Sequence, residues 1–477
     1  LENDALILMI QKLIRRILGT SKSKPVSQKS KGAKEIPKQI HQINLDHLSK
    51  NAVKVTKTLQ DAGHDAFIVG GAVRDLILGI APKDFDVATS ATPEQVQSLF
   101  RKSRLIGRRF QIVHVTFYGG HKPEIIEVST FRAMLNQESL DITDSGRILR
   151  DNIWGTQSED AARRDFTINA MYFDPSTQVV LDYHGGMYDI KHRLMRMIGD
   201  ATQRYREDPV RMLRAVRFAA KTGFHIEAKT LAPIAELAHL IHDVPSARLF
   251  DEILKLLMSG HAWASLESLR HAGLGQGLLP MIDAILEQNQ SSSFAKIALD
   301  RTDERVQQGK PISPGFLFAS LLWHEVYLGW QQQQNTGKPL IPALHDAIDL
   351  VLANQREVFA IQRRFETDMR EIWSLQPRFE RRVGKMPYRL LESPRFRAGY
   401  DFLCLRALAD EVPMALAQWW EKFQFAELPE KEELMTLAKN ESTANAASGV
   451  GKSRRRRRKA SKQPGIIQNT DALEQDL

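Results

Sequence analysis

Cysteine is nearly missing from this 477-residue chain: Cys404 stands alone. One thiol excludes an internal disulfide framework and a cysteine-rich zinc site, and fits a reducing cytoplasm. Long apolar runs are also missing. The early run Ala5–Ile10 is far too short to cross a bilayer. The fourteen histidines show no pairing at metal-ligand spacing, and no internal repeat recurs at a fixed period. Between its ends the chain lacks excess positive charge. The net +9 is carried by residues 1–40 and 451–477, which leaves the middle slightly acidic. Basic ends point to a polyanionic partner, a nucleic acid or an acidic membrane surface.

What is present is an ordinary apolar content of 43%, enough for a core, in a chain long enough for more than one domain. Residues 5–18 have helical apolar spacing at Leu6, Ile10, Leu13, Ile14 and Ile17, with Lys12, Arg15 and Arg16 opposite. This segment suits peripheral contact with a membrane surface or docking on a partner. Residues 20–40 are Ser-, Lys- and Pro-rich and read as a linker. From about residue 45 to 200, strand and helix patterns alternate: a helix over Leu48–Ala62, strands at Ala66–Val69, Phe85–Ala88, Val113–Phe117 and Ile125–Thr130, and a helix start at Thr92-Pro93. Beyond 200 nearly every segment is helical, including 208–221, 227–241 and 246–258. The expected class is an α+β head with a mixed sheet, then an all-α region. The expected divisions are 1–40, 41–200, 201–262, 263–440 and a disordered basic tail at 441–477.

The stretch Phe67–Thr89 carries the strongest chemical signal. Gly70 and Gly71 form a glycine turn before a helix, where bare backbone N–H groups can receive phosphates. Asp84 and Asp86 then stand at i and i+2, so on a strand they share one face. Two such carboxylates can hold Mg²⁺ between a triphosphate and an attacking hydroxyl; a solvated turn after Pro82 is the competing explanation. A third carboxylate is wanted. Glu127 is a charge inside the apolar strand run IIEVSTF and is one candidate; an edge-strand glutamate facing water is the alternative. Asp165, in ARRDFTINAM beside Arg163 and Arg164, is the other, with metal coordination, ribose contact, a helix cap and a structural ion pair all open to it.

Further along, Asp208-Pro209 marks a helix start. Arg211, Arg214 and Arg217 recur every three residues along that helix as a basic ridge, suited to a nucleobase edge and phosphates or to pairing with nearby acids. Gly107, Arg108 and Arg109 make a basic turn ahead of a strand. The run Arg454, Arg455, Arg456, Arg457, Arg458 and Lys459 is a polycation without interleaved aromatics, suited to phosphates rather than to base stacking.

Taken together, VGGAVRD at 69–75, KDFDVAT at 83–89, EDAARRDFTINAM at 159–171, LDYHGGMYDI at 181–190 and REDPVRMLRAVRFAA at 206–220 resemble the bacterial poly(A) polymerase/CCA-adding tRNA nucleotidyltransferase family, of the polymerase-β-like superfamily. The resemblance covers roughly residues 45–425. It implies a mixed-sheet head followed by helical neck, body and tail regions. It implies that Asp84 and Asp86 bind Mg²⁺, with Mn²⁺ as the alternative ion, that Gly70, Gly71 and Arg74 lie in the triphosphate motif, and that Arg163, Arg164, Asp165 and Asn169 serve the ribose and triphosphate. Asp208 and Arg211 match the residues that select the incoming base. The segment LIGRRFQIVHV, the FRAGYD at 396–401, the WWEKFQ at 419–424 and the arginine-rich tail resemble the poly(A) polymerase branch, and no HD-type phosphohydrolase segment is seen. The implied activity is transfer of AMP from ATP to RNA 3′ ends by a monomeric, cytoplasmic enzyme that associates with RNA-decay proteins. CCA addition to tRNA is the alternative within the family. A non-catalytic RNA-binding protein is the alternative outside it, disfavoured by the presence of Asp84, Asp86, Glu127 and Asp165.

Overall fold

A computed structural model of the chain describes residues 32–107, 111–119, 123–133, 154–275, 280–287, 294–358 and 361–441. The amphipathic segment 5–18, Arg108 and Arg109, and the tail residues 454–459 lie outside the described residues. Among the described residues no helix is long and apolar enough to cross a membrane. The chain divides into two compact units, one of residues up to Val244 with Ser268–Leu274, the other of Pro245–Glu267 with the remainder. The neck expected at 201–262 is therefore split. Its first part folds with the sheet because Arg204 donates to the carbonyls of Arg163 and Arg164 and Arg214 pairs with Asp165.

The first unit is built on an eight-stranded sheet in the order β1-β8-β7-β2-β3-β6-β5-β4. The strands are β1 Lys34–Ile36, β2 Ala66–Val69, β3 Asp86–Thr89, β4 Ser103–Ile106, β5 Ile112–Phe117, β6 Glu124–Thr130, β7 Met171–Asp174 and β8 Val179–Asp182. The sheet is mixed: β3 and β6 run parallel and the other neighbours antiparallel. One face carries Ile68, Val87, Val113, Val128 and Phe173, all fully or almost fully buried. Helix Lys50–Asp61 lies over β2, β3 and β6, burying Ala52, Val55, Thr56 and Leu59. Its start is fixed by Ser49, whose hydroxyl accepts the N–H groups of Asn51 and Ala52. Helix Pro93–Leu99 covers β4 and β5 and begins with a capping box between Thr92 and Gln95.

β1 corrects the linker reading of residues 20–40. Lys34 and Glu35 are exposed, and only Ile36 points into the core. A three-residue edge strand with charged outer positions has no apolar alternation to detect. LDYHGGMYDI is a structural corner: the Asp182 carboxylate accepts the backbone N–H groups of His184, Gly185, Gly186 and Met187. A Cβ on Gly186 would meet the Thr167 carbonyl oxygen at 2.5 Å.

In the second unit, helices Pro314–Leu321, Trp323–Asn335, Arg363–Phe379, Phe396–Leu408 and Met414–Phe425 enclose Trp323, Trp373 and Trp420 completely. Each indole N–H has a partner, at Glu411, the Ala319 carbonyl and the Phe379 carbonyl. The FRAGYD and WWEKFQ segments are packing devices. Gly399 lets its helix approach Leu375, whose Cδ1 would lie 2.8 Å from a Cβ there, and Trp419, Trp420 and Phe423 fill the core beside Phe379 and Phe396.

Candidate active site

The site grows from the ends of β2 and β3. β2 delivers the chain to Gly70, whose φ of +78° is a conformation that side chains with a Cβ rarely adopt. Helix Gly71–Ile77 starts immediately after it. β3 begins at Asp86, with Asp84 two residues earlier on the preceding loop.

The strand registers place Asp86 opposite Val69 on one side and Glu127 on the other. The same row continues through Tyr172 on β7 and His114 on β5. Residues directly opposite one another share a sheet face, so Tyr172, Val69, Asp86, Glu127 and His114 stand side by side. This face is open above Asp86 and Glu127, and His114 Nε2 lies 3.4 Å from Glu127 Oε1. Asp86, Glu127, Arg132, Asp160, Arg163 and Arg164 line a cavity of about 320 Å³. Gly70 borders the same space, since a Cβ on it would lie 3.5 Å from Arg164 Nη1 and 3.8 Å from Asp86 Oδ2.

The carboxylates oppose one another. Asp86 is exposed as a residue, yet protein atoms crowd around its carboxyl. Burial first, then the charges of Glu127 and Asp84, push its carboxyl up to about 6 against the pull of Arg164. Among the described residues no group of three His, Cys, Asp or Glu side chains is gathered closely enough to hold a metal ion unaided. A pair of hard carboxylates under mutual repulsion suits Mg²⁺, which takes one or two carboxylates and completes its shell with water and phosphate oxygens.

Asp165 does not line this cavity. Its Oδ2 accepts hydrogen bonds from Arg214 Nε at 2.8 Å and Nη2 at 2.6 Å, and its Oδ1 accepts the Phe166 N–H at 2.9 Å. Burial alone would push this carboxyl up. The Arg214 charge and these hydrogen bonds outweigh it and hold the group below its ordinary value. Arg74 is likewise turned inward. Its side chain is 2% exposed, and it donates to Asp75 and to Asn169 Oδ1 at 2.7 Å. Arg74 and Asn169 thus join the helix after the glycine turn to the segment after Arg164.

Asp208 sits one position earlier than a cap expected directly before the helix. The helix is Val210–Thr222, Pro209 occupies the cap position, and Asp208 Oδ1 accepts the Val210 N–H at 3.3 Å. The arginine ridge is divided among partners. Arg211 Nη1 donates to Glu207 and to the Arg204 carbonyl, Arg214 serves Asp165, and Arg217 lies over the Phe218 ring. Sequence reasoning missed Arg204, whose Nη2 donates to the carbonyls of both Arg163 and Arg164. It also missed Asp160 and Tyr172, which bond to the Arg164 side chain. The acid of the Glu159-Asp160 pair nearer the arginines was the available signal.

Three family descriptions match the chain: "Poly A polymerase head domain" over 66–196, "Probable RNA and SrmB-binding site of polymerase A" over 223–286, and "Polymerase A arginine-rich C-terminus" over 336–462. The poly(A) polymerase I of Salmonella typhimurium is 44% identical over 84% of this chain and 88% of that protein. The chain belongs to the poly(A) polymerase family. It is a nucleotidyltransferase, an enzyme of the adenylyltransferase class, with a mixed-sheet head followed by a helical region. CCA-adding enzymes are related to poly(A) polymerases of this kind: that of Bacillus velezensis is 34% identical over 53% of this chain and 62% of that protein. A crystal structure of the Bacillus stearothermophilus CCA-adding enzyme in complex with CTP matches with a TM-score of 0.50 and 26% identity, covering 78% of this chain and 80% of that one.

Proposed function

We propose that this poly(A) polymerase uses the Asp86–Glu127 row to add AMP from ATP to RNA 3′ ends without a template. The RNA 3′-oxygen attacks the α-phosphorus in line. The new P–O bond forms as the bond to the β-phosphate bridging oxygen breaks, pyrophosphate leaves with that electron pair, and the hydroxyl proton passes to solvent. Asp84 and Asp86 would hold Mg²⁺, or Mn²⁺ in its place, with Glu127 across the sheet as the third carboxylate. When bound, such an ion favours the ionised 3′-hydroxyl and neutralises phosphate charge. Arg163 and Arg164 meet the phosphates delivered to the Gly70-Gly71 turn. Asn169, held by Arg74, and Asp165, held by Arg214, fix the segment that faces the ribose. Asp208 and Arg211 select the base, and the bonds of Arg211 to Glu207 and Arg204 make that selector rigid, as a polymerase without a template requires. The basic tail, Arg454–Lys459, adds RNA affinity, and the enzyme works in the cytoplasm.

The observation that carries this reading is the direct opposition of Asp86 and Glu127 beside a glycine turn and two arginines. An extension assay tests it, with purified protein, Mg²⁺, each nucleotide separately, and either an unstructured RNA or a tRNA lacking its 3′ end. Long ladders on the plain RNA with ATP alone support it. Extension of the tRNA by three nucleotides, dependent on CTP, would replace it with CCA addition.

A further inference from the structure

Arg164 reaches the cavity beneath the glycine turn, and Asp160, one turn earlier on the same helix, holds one nitrogen of its guanidinium. A second hold comes from strand β7. Tyr172 stands on β7 opposite Val69, next to Gly70, and is fully buried. Its hydroxyl donates to Asp160 Oδ2 at 2.6 Å and accepts from Arg164 Nε at 3.1 Å. The same Asp160 oxygen accepts from Arg164 Nη2 at 3.1 Å. The Arg164 main chain is tied as well, since Arg204 Nη2 donates to its carbonyl at 2.8 Å. One edge of the guanidinium, Nε and Nη2, is thereby occupied. The outer nitrogen, Nη1, is the one beside Gly70.

We propose that Tyr172 and Asp160 are positioning residues that clamp the inner edge of Arg164 and aim Nη1 at the phosphates of the incoming nucleotide. The proposal rests on the reading of this cavity as the nucleotide site. A planar fork with five donors in fixed directions binds phosphate well only when its plane is set beforehand. A clamp of two charge-assisted bonds to Asp160 and one to a phenol sets that plane without using the outward donors. Burial pushes the Tyr172 phenol up, so it remains a donor to Asp160. The ring also packs edge-on against Phe67, Phe131 and Tyr183, and removing the hydroxyl alone leaves that packing in place.

Tyr172→Phe in the full chain separates the clamp from the packing. With RNA saturating and ATP varied, KM for ATP should rise about tenfold, the size expected for one lost hydrogen bond to a charged group. The change in kcat should be much smaller, and the melting temperature should fall by no more than several degrees, so that assays well below it read the folded protein. Tripolyphosphate, a probe with no base or ribose, should lose affinity by a similar factor in direct titration calorimetry, while adenosine should not. Asp160→Asn should show the same pattern. In an Arg164→Ala background, Tyr172→Phe should add nothing further. An unchanged tripolyphosphate affinity in Tyr172→Phe would overturn the clamp, as would losses of activity that simply track thermal unfolding. The calorimetry needs no catalysis. If the parent protein fails to extend RNA with ATP, the functional reading falls while tripolyphosphate binding still decides the clamp.

Discussion

Asp86 on β3 lies directly opposite Glu127 on β6, in the parallel pair of the sheet. The pairing brings together two carboxylates that are 41 residues apart in the chain, and the charge of Glu127 adds to burial in raising the Asp86 carboxyl.

The raised carboxyl has a pH signature. The Asp86 carboxyl is raised from 3.8 to about 6 in the folded chain, so between those values the folded state binds a proton that the unfolded state has released. The contribution of this group to stability therefore falls as pH rises through that window, and the full penalty is present above it. A bound divalent cation offsets the penalty. Mg²⁺ should raise the melting temperature more at about pH 7.5 than at about pH 5, where protons compete for the carboxylate. Thermal melts across pH, with and without Mg²⁺, check this; equal gains at both would contradict it.

Gly70→Ala should be costly for both stability and activity. The positive φ alone costs on the order of 1–3 kcal/mol for a residue with a Cβ, and that Cβ would sit between Arg164 and Asp86. The variant should melt several degrees lower, and its kcat/KM for ATP should fall by about tenfold or more. Steady-state kinetics at a temperature where the variant is folded separate the two effects.

Arg214→Ala removes the cation that holds Asp165 ionised. It leaves a largely buried carboxylate without its main partner, at a cost of about 3 kcal/mol. In the parent, Asp165 contributes stability that is present above the ordinary carboxylate range and lost as pH falls through its depressed value. Denaturant unfolding should show the variant closest to the parent in acid and furthest below it near neutrality. A constant gap across pH would contradict the pairing.

Deleting residues 451–477 should weaken RNA binding and flatten its dependence on salt, because the deleted stretch carries eight Lys and Arg against three acids. Counter-ion release makes the slope a count of phosphate contacts. An unchanged slope would show that the tail does not touch RNA.

Much of the site was legible in the sequence, and what was not shares a cause. The strand Ala66–Val69 is a local pattern that the structure carries, whereas of the i and i+2 aspartates only Asp86 lies on a strand, Asp84 falling on the loop before it, and Glu127 in its apolar run is half exposed. That Glu127 faces Asp86 depends on the order and register of strands, which periodicity does not encode. The clamp on Arg164 was invisible for the same reason: Tyr172 reads as one apolar residue in a buried strand until β7 is set beside β2. β1 was missed because its outer positions are charged. Arg74 read as a ligand for phosphate, whereas its burial gives it Asn169 and Asp75 instead. A sequence shows that an arginine is near a motif but not which way it turns.

The most direct test of the central claim is AMP transfer by Asp86→Asn in the full chain, measured alongside RNA binding by the same preparation. The side chain keeps its size and loses the charge that would hold a cation. Transfer from ATP should drop by about a thousandfold or more, several kcal/mol of transition-state stabilisation, while RNA affinity stays near that of the parent. Parental transfer rates in this variant would contradict the account, since the carboxylate row would then have no part in the chemistry.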